Sequence, residues 1–314
     1  MAATLSGLAV AQNGPAVRAE EPEIIKVDAM KSKGFAYPYF LYVPPALRDA
    51  SARDSIRTML VIPNNSGKLD DDFAVHEADA KRRIIANSRA VGSLNTVILL
   101  PVFPRPKSDW QTYVHALDRD TMLAGKKQYA RPDLQLIAMI DDARKRLKGE
   151  GVKTDKKVLV LGFSASGMFT NRFTFLHPGR VKAAVIGSPG GWPIAPVSKY
   201  KEKTLRYPIG TSDLKLVSGR DLDLKKLRKV PLFIFLGDRD DNDSVPFGDS
   251  YDDEDRDLIF PLLGKKPVDR WEISKDLYRS AGLDAEFRLY PNIGHSVEEP
   301  VRADIVAFLA KHAK

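Results

Sequence analysis

The residues best placed for covalent chemistry lie between Lys157 and Leu176. An aliphatic run, Val158-Leu159-Val160-Leu161, leads into Gly162-Phe163-Ser164-Ala165-Ser166-Gly167 and then into an apolar helical pattern through Met168, Phe169 and Phe173. A serine at the tip of such a strand–turn–helix is held in a strained backbone conformation, with its hydroxyl presented beyond the end of the strand. The sharp turn crowds the residues two before and two after the serine, so both must be small. Gly162 and Ser166 meet that demand for Ser164, whereas Ser166 as the nucleophile would put Met168 in the crowded position. The spacing therefore favours Ser164 and nucleophilic catalysis through a covalent intermediate. The chain contains no cysteine, which excludes disulfides, thiolate zinc sites and a cysteine nucleophile.

A serine in that position requires a buried strand beneath it, and the sequence supplies several. From about residue 35, short aliphatic or β-branched runs alternate with helical patterns, as expected for a mostly parallel sheet covered by helices on both faces. Strands are expected at Tyr37–Val43, Thr58–Ile62, Thr96–Pro101, Lys157–Phe163, Lys182–Ser188, Pro231–Gly237 and Ala285–Tyr290. Runs such as Leu232-Phe233-Ile234-Phe235-Leu236 do not alternate with polar residues, which suits strands buried on both faces. Asp70-Asp71-Asp72 opens a helix toward Ile84 and Ile85, with its acids at the positive end of the dipole. Pro132 begins another, striped by Leu136, Ile140, Ala143 and Leu147 and stopped by Gly149. Further helices are expected at Ser166–Leu176, Val268–Ala281 and Val301–Ala310. The two long connections, Val102–Arg131 and Pro189–Val230, leave the carboxyl ends of strands, where ligand-binding loops sit in open α/β sheets.

With this strand, serine turn and helix, the chain resembles the α/β-hydrolase superfamily over roughly residues 35–312. The resemblance implies an α/β-hydrolase fold and a triad in the order serine, acid, histidine, with no metal or organic cofactor. Strand Pro231–Gly237 ends in Gly237-Asp238-Arg239-Asp240-Asp241-Asn242, similar to the Gly-x-x-Asp turn that supplies the family's acid; the alignment assigns Asp240, with Asp243 as the alternative. A calcium loop is disfavoured, because Asp243 replaces that loop's glycine and Asp249 its closing glutamate. The histidine is expected after the next strand, where Pro291-Asn292-Ile293-Gly294-His295-Ser296 offers His295. Of the other histidines, His76 lies in a helix, His177 at a helix end and His312 in the terminal tail, while His115 sits in a long loop where it can line a cleft. The resemblance places one oxyanion-hole N–H at Ala165 and the second in the loop after Thr58–Ile62. Many members carry His-Gly in that loop, and this chain has Pro63-Asn64-Asn65-Ser66-Gly67, which offers Asn65.

The implied organisation is a disordered segment at 1–23, followed by a single hydrolase domain at 24–314 with a small cap-like insertion at about 189–230. The segments Tyr37–Pro45 and Ser164–Pro189 look most like secreted esterases and polyester depolymerases, including those acting on polyhydroxyalkanoates, so a small-molecule or polymeric ester is the expected substrate. Peptidase, acyltransferase and non-catalytic binding readings of the same fold stand as alternatives. Trp192, after Pro189-Gly190-Gly191, is expected either to wall an acyl or alcohol pocket or to anchor its segment to the core; Trp110 is the weaker pocket candidate.

Forty-nine Lys and Arg against 41 Asp and Glu give a formal charge of +8. The basic clusters at Lys81–Arg83, Arg144–Lys148, Lys153–Lys157 and Lys225–Lys229 are scattered and lack interleaved aromatics, which argues for solvated surface rather than a nucleic-acid interface. No apolar run approaches the roughly 18–20 residues that span a bilayer. Near the start, apolar Leu5–Val10 and the small-x-small Ala9-Val10-Ala11 resemble the tail of a secretion signal without its charged front, which makes export one expectation and a plain cytoplasmic protein the other.

Overall fold

The computed structural model describes residues 21–48, 56–65, 67–123 and 128–313. The signal-like stretch at Leu5–Ala11 lies outside these residues, as does Ser66 of the expected oxyanion loop.

In chain order the elements are β1 (Ile24–Val27), β2 (Tyr39–Tyr42), β3 (Leu60–Val61), α1 (Phe73–Ala90), β4 (Ile98–Pro101), α2 (Arg119–Leu123), α3 (Pro132–Gly149), β5 (Val158–Phe163), α4 (Ala165–Leu176), β6 (Val181–Gly187), β7 (Lys199–Tyr200), β8 (Lys203–Thr204), α5 (Leu214–Ser218), α6 (Leu224–Leu227), β9 (Leu232–Gly237), α7 (Asp253–Leu263), α8 (Trp271–Ser280), β10 (Ala285–Tyr290) and α9 (Glu299–His312). Among the described residues, eight strands form one sheet in the order β1-β2-β4-β3-β5-β6-β9-β10, and β7 pairs with β8 in a separate hairpin. The pairs from β4 through β10 are parallel, whereas β2 runs antiparallel to both β1 and β4. This is the α/β-hydrolase fold that the resemblance implied.

Alternation along each strand builds one core on each side of the sheet. Val158 and Val160 of β5 join Ile186 of β6 and Ile234 of β9 under α3, α4 and α8, where Leu136, Phe169, Phe173 and Tyr278 pack. Leu159, Val185 and Phe235 face the other way, against Ile84 of α1 and Ile305 and Leu309 of α9. Burying each such aliphatic or aromatic side chain contributes about 1.5–3 kcal/mol relative to exposure. A third cluster sits beside the start of α4 and unites Ala165 and Met168 with Trp192, Leu205 and Ile209 of segment 189–230 and with Ile259 and Leu263 of α7.

Helix entries follow the expected chemistry. The Asp72 carboxylate accepts a hydrogen bond from the Ala74 N–H at 2.9 Å and caps α1, and Pro132 opens α3. The sequence expectations do not include β1, α2, the β7–β8 hairpin, α5, α6 or α7, and β1 and α7 show why. Strand β1 has only four residues, too few for a periodic pattern to register, yet it extends the sheet beyond the expected first strand. Helix α7 opens with a run of acids and contains Pro261, and its start is fixed by a reciprocal cap between Asp252 and Asp255.

Candidate active site

Ser164 sits between β5 and α4 with φ 62° and ψ −130°, a left-handed conformation that a non-glycine residue adopts only under constraint. Its N–H donates to the Gly187 carbonyl at 3.0 Å, and its own carbonyl accepts from the Met168 N–H at 3.0 Å, so the turn is fixed from both sides. The crowding expected around it is present. A side chain at Gly162 would collide with the Ser166 backbone and the Thr170 hydroxyl, and one at Gly167 would strike the Gly187 carbonyl. Ser166 is buried, and its hydroxyl is engaged within the turn, accepting from the Phe163 N–H at 3.0 Å and donating to the Phe163 carbonyl at 2.8 Å. The second serine braces the elbow, which leaves Ser164 to present its hydroxyl.

Strands β9 and β10 run parallel and end together, Gly237 opposite Tyr290. The turns that follow are tied by backbone hydrogen bonds from Asp238 N–H to Tyr290 O at 2.9 Å and from Arg239 N–H to Ile293 O at 3.0 Å. That pairing brings His295 to Asp240: imidazole Nδ1 lies 3.1 and 3.0 Å from the two carboxylate oxygens. Asp240 is buried, and the Asn242 N–H also donates to it at 3.0 Å. Burial alone pushes this carboxyl upward. Its contacts with the imidazole, the nearby Ser188 hydroxyl and the Asn242 N–H outweigh that effect and hold it below the usual carboxylate range. An ionised Asp240 at Nδ1 fixes the proton on that nitrogen and leaves Nε2 as the basic atom. The Phe163 ring, one residue before Ser164, lies 4.7 Å from the imidazole, centroid to centroid, and seats the pair against the elbow.

Asp243, the alternative acid, faces elsewhere. Its two oxygens meet the Arg270 guanidinium at 3.0 and 2.8 Å, and Arg270, 1% exposed, also donates to the Gly191, Gly264 and Lys265 carbonyls. The pair ties the turn after β9 to the 3-10 turn before α8.

Ala165 is the first residue of α4, where backbone N–H groups have no intrahelical acceptor and the helix dipole favours negative charge. Asn65 is half-buried, and its side-chain amide donates to the Phe163 carbonyl at 3.3 Å, tying the loop after β3 to the elbow. The neighbouring Asn64 clamps that loop from behind: its amide donates to Phe103 O at 2.8 Å and its oxygen accepts from Phe103 N–H at 3.0 Å. His115 donates from Nε2 to the same Phe103 carbonyl at 2.7 Å and is fully buried, so it braces this network rather than lining a cleft. His177 pairs with buried Asp133 at 2.7 Å, away from the elbow.

Trp192 is 1% exposed. Its indole N–H donates to Ile209 O at 2.9 Å, and its backbone N–H and carbonyl are both bound by the Tyr251 hydroxyl. Of the two expectations for Trp192, this is the anchor: the ring joins segment 189–230 to the third core cluster and offers no surface to a ligand. Trp110 is 43% exposed and, with Phe247, flanks a surface groove of about 330 Å³. Phe163, Ser188 and Arg270 were not singled out from sequence; Phe163 was the most accessible of the three, since its place before the nucleophile puts it at the elbow.

Among the described residues no group of three or more histidine, aspartate or glutamate side chains has the arrangement to hold a metal ion, and no helix is long and apolar enough to cross a membrane. No family model matches the chain, and no curated protein sequence does so. Solved structures do match. Poly(aspartic acid) hydrolase-1 from Sphingomonas sp. KT-1 is similar with TM-score 0.57 and 19% identity, over 94% of this chain and 99% of that one. The LpqC poly(3-hydroxybutyrate) depolymerase from Bordetella parapertussis gives 0.54 and 17%, over 92% and 88%, and a ferulic acid esterase gives 0.51 and 15%, over 93% and 98%. At these identities the likeness is one of architecture, and it places the chain among proteins built on the α/β-hydrolase fold.

Proposed function

We propose that this protein is a serine hydrolase that cleaves carboxylic esters through an acyl-enzyme, with Ser164, Asp240 and His295 as its triad. The observation that carries the reading is the His295–Asp240 pair seated against a strained serine elbow. His295 Nε2 takes the proton from Ser164 Oγ as that oxygen attacks the carbonyl carbon; the tetrahedral oxyanion is held by the Ala165 N–H and by the Asn65 N–H of the clamped loop. The protonated imidazole then delivers its proton to the departing alkoxide. Water, deprotonated by the same nitrogen, attacks the acyl-enzyme and releases the acid. Asp240, ionised throughout, stabilises the transient imidazolium.

Polymeric esters fall within this reading, supported by the similar structures that include a poly(3-hydroxybutyrate) depolymerase and by the exposed Trp110 on a surface groove. Treatment with a fluorophosphonate followed by peptide mass spectrometry is expected to place the adduct on Ser164. Ser164→Ala is expected to abolish turnover of p-nitrophenyl acetate while the melting temperature stays within a few degrees. An adduct on Ser166, or turnover surviving the substitution, overturns the assignment. Clearing of a poly(3-hydroxybutyrate) dispersion by the wild-type protein and not by Ser164→Ala tests the polymer arm.

A further inference from the structure

On the α1–α9 side of the sheet, behind the elbow, lies a cavity of about 270 Å³. Its floor is apolar, formed by Leu100, Leu161, Phe235 and Ile305, and its rim carries Arg83 and Asn87 of α1 and Arg302 of α9. Among the described residues no carboxylate lines it. The rim is also electrostatically unbalanced. Among the described residues Arg83 has Asp79 as its one ion-pair partner and shares it with Arg82, so one buried carboxylate serves two guanidiniums. Arg302 meets no buried carboxylate: it lies 3.5 Å from a mostly exposed Glu299 carboxylate and donates to the Val297 carbonyl at 3.3 Å. An apolar interior closed by two under-neutralised guanidiniums and an amide is complementary to one kind of ligand: an alkyl chain ending in an anion that accepts hydrogen bonds.

We propose that this cavity binds a medium-chain monocarboxylate, its chain among Leu161, Phe235 and Ile305 and its carboxylate between Arg83 and Arg302. The space, about 270 Å³, admits a medium-length alkyl chain with its carboxylate at the rim. Burial of each methylene contributes about 0.8 kcal/mol, so affinity should climb with chain length until the cavity is full. Asn65 and Phe163 form the wall nearest the elbow, and the Phe163 ring also touches the His295 imidazole, so a seated acid contacts a side chain that packs on the proposed active site. The inference extends beyond hydrolysis and does not depend on it, since binding is read directly.

Isothermal titration of octanoate into the full-length protein is expected to saturate at one site. Propionate should bind far more weakly for want of buried chain, and octanol more weakly for want of charge. Arg83→Gln and Arg302→Gln lie at the surface and are expected to fold normally, each weakening octanoate about tenfold, the scale of one lost charge-assisted contact. Val306→Phe, which fills the cavity from α9, should block binding. Octanol binding as tightly as octanoate, or octanoate affinity unchanged in both arginine variants, overturns the proposal, as does the lack of saturable binding.

Discussion

Asp240 and Asp243 stand three residues apart in the turn after β9, and the side chains they meet separate their roles. Asp240 faces an imidazole and is held ionised by it; Asp243 faces a buried guanidinium in a two-point ion pair. The two substitutions should therefore fail in different ways. Asp240→Asn is expected to lower kcat by about 10³–10⁴-fold, because an amide at Nδ1 no longer fixes the tautomer or stabilises the imidazolium. Its melting temperature should change little by comparison. Asp243→Asn is expected to keep most of kcat but to lose about 3 kcal/mol of stability in urea titration, because it leaves Arg270 buried without its counter-charge. The reverse pattern would move the acid role to Asp243. Sequence alone left the choice between them to resemblance, since what distinguishes the two carboxylates is a partner, Arg270 against His295, that arrives from a distant part of the chain. The crowding around Ser164, by contrast, was legible, because steric crowding in a tight turn is a local property.

The elements around the elbow show the same division between local and distant causes. Strands β5 and β9 are continuous apolar runs and announce themselves, Asp72 caps α1 and Pro132 opens α3. Helix α7 does not, because its acids read as a solvated loop and Pro261 reads as a breaker; it forms because Ile259 and Leu263 have the third cluster to bury against. Segment 189–230 depends on that cluster too, with Trp192 as its largest buried side chain. Trp192→Ala is expected to cost about 3–5 kcal/mol through the void it leaves. Activity should fall equally toward acetate and benzoate esters, since the ring meets the core and not the substrate. A loss confined to benzoate or long-chain esters, with melting temperature preserved, would return the indole to the wall of a pocket.

At the scale of the whole molecule, acid should unfold this protein partly through His115. Burial, the main cause, lowers this imidazole from its usual value to about 3. In the unfolded chain it titrates near 6.5, so between pH 6.5 and 3 the unfolded state binds the extra proton. The stabilisation is then complete above about 6.5 and is lost as pH falls, at up to about 1.4 kcal/mol per pH unit. Buried Asp118, raised by burial to about 7, works in the opposite sense over this window, so the His115 contribution is read by difference: from pH 7 to pH 5 the wild-type urea midpoint should fall relative to that of His115→Gln, which keeps a donor for the Phe103 carbonyl. An unchanged slope in that variant would assign the acid sensitivity to other groups.

The flush ends of β9 and β10 also fix when the site is assembled. During synthesis the serine elbow and the turn bearing Asp240 leave the ribosome well before β10 exists, and the sheet edge at β9 has no partner until Ala285–Tyr290 arrives. Only then do the hydrogen bonds from Asp238 and Arg239 to the β10 side draw His295 onto its acid. A chain that stops short of β10 thus carries the proposed nucleophile without its proposed base, and the pair of Asp240 and His295 forms only once β10 and the turn after it have been made.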